Sequence, residues 1–139
     1  MSEMKAFEVA LRVCSFERPA EDIASRLPIK ASRLIEKDSQ GSITGNRRIV
    51  QDSRWILDSG IPDATPLEHQ IDYFVRLFEK NKAAFKKLPD DCEIDLWCTV
   101  FSLEEFTGFS LDRILIQKLA EYRVGVVFSI YTDSPAKAR

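Results

Sequence analysis

The chain has no surplus of positive charge, no cysteine scaffold, five glycines, one histidine and no long apolar run. Each shortage removes a class of function. Twenty basic residues stand against 22 acidic ones, a formal net charge of -2, so the basic excess that neutralises phosphates is missing and no nucleic-acid partner is expected. No stretch approaches the roughly 20 apolar residues of a membrane span, and the start, MSEMKAFEVALRVCSFE, lacks the basic-then-apolar layout of a signal peptide. A soluble cytoplasmic chain with no membrane partner is the expectation. Three cysteines, an odd number with no Cys-x-x-Cys, fit a reducing compartment. Cys92 and Cys98 would sit about 20 Å apart along one strand, too far to share a tetrahedral ion. The glycines around Gly41 and Gly45 lack the Lys-Ser/Thr ending of a phosphate loop, and no Gly-x-Ser-x-Gly elbow occurs. No metal, cofactor or catalytic residue is assigned, and the balance leans away from an enzyme.

What is present suits one globular domain over residues 1–139, with a core from about 5 to 131 and a mobile tail over 132–139. At this length folding hides roughly two-thirds of the unfolded surface, enough for a single core. Residues 6–14, AFEVALRVC, alternate with period two, placing Phe7, Val9, Leu11 and Val13 on one face of a strand. Pro19 opens a short helix that Leu27-Pro28 closes. Ser39–Asn46 reads as a loop, followed by two short strands, Arg47–Val50 and Arg54–Leu57, paired as a hairpin. Pro66 to Leu88 reads as one long helix: Thr65 caps it, Glu68 completes a capping box, and Leu67, Ile71, Phe74, Phe78 and Phe85 form its buried stripe. Asp90-Asp91 and Glu104-Glu105 read as solvated loop carboxylates. Residues 92–101 alternate again, Ser110 caps a further helix, and VGVVFSIY closes the chain as a strand. The order β-α-β-β-α-β-α-β predicts an α+β fold, a single mostly antiparallel sheet with helices packed on one face.

That alternation assigns Glu8, Arg12, Glu93, Asp95, Trp97, Thr99, Ser129 and Tyr131 to the uncovered face. Aromatics with arginine mark interface centres, so Arg12, Asp95, Trp97 and Tyr131 are the candidate residues for binding a protein partner; packing across strands is the plainer role for the same rings. A homodimer pairing this face with itself is a further option. His69 lies beside Glu68, and adjacent helix positions do not face each other, so the two form no dyad.

The early strand, PAEDIASRLPIKASRL, Arg54-Trp55-Ile56-Leu57, Leu67-Glu68-His69 at a helix start and the closing Ile130-Tyr131 together resemble a bacterial family catalogued as domain of unknown function 4279, over about Phe7 to Tyr131. Ala31-Ser32 stands where that family shows Pro-Ser, and Ser129 where an acidic residue often stands. The resemblance implies a bacterial cytoplasmic protein without an established activity. It marks Trp55 and His69 as positions to watch, and a small-molecule or enzymatic cleft beside them is the alternative expectation. Immunity proteins that neutralise a toxin by binding it are of similar size and style, an analogy for the binding role.

Overall fold

The first alternating segment becomes the centre of the architecture, because a strand with one apolar row needs partners on both sides and a cover on one face. A computed structural model describes residues 5–37, 40–43, 46–49, 51–102 and 109–132; over 40–43 and 46–49 it describes the backbone. Strand β1 (Lys5–Ser15) lies between β5 (Ser53–Asp58) and β6 (Glu93–Ser102), antiparallel to both. β2 (Arg33–Ile35) adds outside β5, and β7 (Val124–Thr132) adds outside β6, so the order is β2-β5-β1-β6-β7. β7 runs parallel to β6, which requires a crossover, and α4 (Arg113–Glu121) supplies it. The result is the expected mostly antiparallel α+β sheet.

The helices cover one face. α1 (Ala20–Arg26) lies against β5, α2 (Leu67–Lys80) against β1 and α4 against β7. They bury Ile23, Ile71, Phe74, Phe78 and Leu119 onto Leu11, Val13, Trp55, Leu96 and Val100. Phe78 is central: Phe85 meets it edge-on at 4.9 Å and Tyr122 stacks on it at 5.5 Å.

Local chemistry changed several expected boundaries. The long helix breaks at Asn81, whose side-chain amide donates to the Leu77 carbonyl at 3.0 Å; asparagine offers the backbone an alternative partner, and α3 (Lys82–Lys86) follows as a separate turn. Pro66 holds the N-cap position of α2 with no side-chain cap, and Glu68 instead accepts the Asp112 amide at 3.2 Å, tying the starts of α2 and α4 together. Asp112, two residues beyond Ser110, caps α4 by accepting from the Ile114 amide at 2.7 Å. The expected hairpin between Arg47–Val50 and Arg54–Leu57 is also corrected. β3 (Gln40–Ile43) and β4 (Asn46–Ile49) pair with each other as a separate ribbon, where a loop was expected over part of that span. β5 goes to the main sheet because both its faces are buried, Trp55 at 0% and Ile56 at 4% exposure. Residues 133–139, residues 103–108 with the paired glutamates, and residues 44–45 lie outside the described residues.

Candidate functional site

On the face opposite the helices, strand register arranges side chains in rows across the sheet. One row crosses all five strands: Arg33, Ile56, Arg12, Asp95 and Gly125. The next runs Asp58, Ala10, Trp97, Val127, the next Glu8, Thr99, Ser129, and then Ala6, Phe101, Tyr131. Charge collects over β2, β5 and β1; aromatic surface collects at the far corner of β6 and β7.

Arg12 and Asp95 stand directly opposite on β1 and β6. The guanidinium donates twice, Nε to Oδ1 at 2.9 Å and Nη2 to Oδ2 at 3.2 Å, the two-pronged geometry that holds both planes fixed. The same guanidinium lies 4.1 Å from the Trp97 ring centre, a cation–π contact. Ala10, opposite Trp97, offers only a methyl group, which leaves space for the indole beside Arg12. The pair is largely shielded, its side chains 16% and 19% exposed, so the three groups form a preset unit rather than a mobile surface pair.

Arg12 and Trp97 of this unit line a concavity of about 620 Å³, together with Arg33, Ile56, Asp58 and Thr99, and Ser59–Ile61 flank it. Gly60 turns that flank with φ of 71°, a left-handed conformation suited to glycine. Arg54 is held by Asp52 at 2.9 Å. Cys14 occupies the row above Arg12, between Arg54 and Glu93; burial pushes its thiol up to about 11, so it stays protonated at neutral pH and is a poor nucleophile. A second hollow, of about 740 Å³, lies between α3, the end of α4 and the starts of β6 and β7, with Lys86, Glu93, Glu121 and Arg123 on its walls. Asp95 lines this second hollow, whereas its partners Arg12 and Trp97 line the first.

Of the six candidate residues, Arg12, Asp95 and Trp97 come together. Tyr131 shares their face two rows from Trp97, stacked on Phe101 at 5.5 Å. Trp55 and His69 do not form a cleft, and that expectation is corrected: Trp55 stands opposite Val13 and Leu34, on the covered face, fully buried in the core, whereas His69 is exposed on α2. Neither lines either hollow. Phe101 was missed, though its parity with Trp97 and Thr99 along one strand carries the signal. Arg33, Ile56 and Asp58 reach the site through strand order, which the sequence does not display.

A family model described as "Domain of unknown function (DUF4279)" matches residues 3–133, and the chain belongs to that family. No curated protein and no solved structure matches the chain. Among the described residues no helix is long and apolar enough to cross a membrane.

Proposed function

We propose that this member of a family without an assigned activity is a protein-binding module whose contact surface is the uncovered face of the sheet. The observation that carries the reading is the Arg12–Asp95–Trp97 unit at the border of the concavity. Tryptophan and arginine are the side chains most enriched at the energetic centres of interfaces. Here they are already fixed, so little rotamer freedom is lost when a partner docks. The ionisable groups beside the unit are engaged in ways that suit recognition more than turnover: the Asp95 carboxylate is bound at both oxygens by Arg12, and the Cys14 thiol is held protonated.

Position-specific photocrosslinking in lysate of the native cell tests the reading. A benzophenone side chain replacing exposed Arg33 is expected to capture a protein, while the same group at Tyr73, exposed on α2 on the helix side, does not. With that protein purified, Trp97→Ala is expected to weaken its affinity at least about tenfold, as for an interface centre. Capture from both positions alike, or an affinity that Trp97→Ala leaves unchanged, overturns the assignment.

A further inference from the structure

Among the described residues, the inner strands of the sheet are paired on both sides and the outer two on one side only. β7 ends the sheet with nine residues, VGVVFSIYT, none of them charged and none proline. Among the described residues no strand pairs with its outer side. Such an edge presents a row of unmatched N–H and C=O groups on which another strand can add, and isolated proteins commonly blunt it with charge, proline or shortness. Beside it the apolar side chains are exposed: Phe128 at 38%, Ile130 at 53% and Tyr131 at 57%, with Phe101 at 39% behind Tyr131. We propose that β7 pairs antiparallel with β7 of a second copy of this chain, about a two-fold axis perpendicular to the sheet. The product is one continuous sheet with the helices of both copies on the same face.

Three properties select a second copy as the occupant. A two-fold axis brings each residue near it against its own counterpart, so a charged strand would repel itself; β7 carries no charge to do so. Opposite residues share a face only if the axis passes through a residue, and full overlap of Val124–Thr132 places that residue at Phe128. In that register Tyr131 stands opposite Gly125 of the second copy, Ile130 opposite Val126 and Phe128 opposite itself. The third property is this fit. At Gly125 a side chain would meet, among the described residues, nothing nearer than the Asp95 Cβ at 3.9 Å, so the bare position leaves room for the exposed ring, the pairing in which an aromatic covers a strand glycine. On the helix face, Phe128 and Ile130 gain apolar neighbours.

Sedimentation across concentrations up to roughly 10⁻⁴ M tests the pairing. The wild-type chain is expected to reach twice its 15.9 kDa mass. Ile130→Lys, exposed and on the helix face, is expected to weaken self-association at least about tenfold while circular dichroism shows an unchanged fold. Leu34→Lys, the equivalent change on the opposite edge, is expected to leave it unaltered. Phe128→Cys is expected to give a rapid interchain disulfide and Ser129→Cys a slow one, because only position 128 meets itself. A wild type that stays at one chain mass overturns the proposal. So does a dimer indifferent to Ile130→Lys, or a different protein occupying β7 while the chain itself remains single.

Discussion

At one end of the sheet β2 contributes three residues, Arg33 to Ile35; at the other β7 contributes nine. The short edge is tied to β5 and α1 by polar bonds. Ser32 donates its amide to the Ile56 carbonyl at 2.7 Å and its hydroxyl accepts the Asp58 amide at 3.0 Å. Just beyond, Glu36 accepts the amides of Ala20 and Glu21 at the start of α1, and the Ser53 hydroxyl accepts the Lys37 amide. The long edge has an apolar strand instead, joined to the sheet by parallel pairing and an aromatic stack. The difference teaches where the fold ends and where contact begins: one edge is short, charged at Arg33 and tied inward by polar bonds, and the other has the composition of an interior strand at an exterior position. Stability should therefore depend more on the first side, and association on the second.

The largest expected effect tests that division directly. Trp55, opposite Leu34 and Val13, is fully buried, and Trp55→Ala should lower unfolding free energy by about 3–5 kcal/mol. Tyr131→Ala at the other end should cost no more than about 1 kcal/mol in dilute solution. Trp55→Phe should be milder than the alanine change, because a ring still fills most of the site; both changes remove an indole N–H that has no hydrogen-bond partner among the described residues. Denaturant unfolding at low protein concentration measures all three, and equal losses at Trp55 and Tyr131 would end the comparison.

Between the two ends lies the Arg12–Asp95 pair. A double-mutant cycle with Arg12→Ala and Asp95→Ala should give a coupling of about 1–2 kcal/mol, in the range for shielded hydrogen bonds to a charge. The same cycle on Arg76 and Asp72, whose side chains are 79% and 42% exposed, should give clearly less. Next in size is Gly125→Ala. The added methyl makes only ordinary contacts, 3.9 Å to Asp95 Cβ and 4.0 Å to the Ile94 carbonyl. The single chain should gain about 0.5–1 kcal/mol from the lost backbone freedom of glycine, while self-association weakens because the place for Tyr131 of the second copy narrows. Unfolding and sedimentation read the two arms; a change of the same sign in both would show that Gly125 has no part in pairing.

How much of this could be read beforehand follows a physical line. Period-two alternation declares which residues share a face, so Arg12, Asp95 and Trp97 were legible as one surface, and so was the α+β class. Alternation does not declare which strands are neighbours. Arg33, Ile56 and Asp58 therefore stayed invisible, and β5 was paired with the wrong segment. Trp55 became a site candidate through the family resemblance alone; its segment, Arg54-Trp55-Ile56-Leu57, is too short and too apolar for parity to choose the covered side. The helix ends failed for a different reason: Thr65, Glu68 and Ser110 had suitable chemistry, but Asn81 and Asp112 had the hydrogen bonds.

The smallest effect concerns pH. Asp91, before β6, accepts from the Ser15 hydroxyl at 2.7 Å and from Arg18 Nε at 3.0 Å, and Arg18 also reaches Asp22. The Ser15 bond first, and then Arg18, hold the Asp91 carboxyl below its ordinary 3.8; Arg26 first, and then Arg18, do the same for Asp22. A carboxylate depressed in the folded state binds protons more readily once unfolded, so its contribution is complete above 3.8 and is lost as pH falls through the folded value. Asp91→Asn should therefore lower stability slightly at neutral pH and flatten the acid limb of a stability–pH profile. β7 carries no carboxylate, so its self-association, measured from pH 8 down to the point where unfolding begins, should stay nearly level over the same span. A steep acid dependence of association in the Asp91→Asn variant would place charge at the β7 contact, against an edge whose own residues supply none.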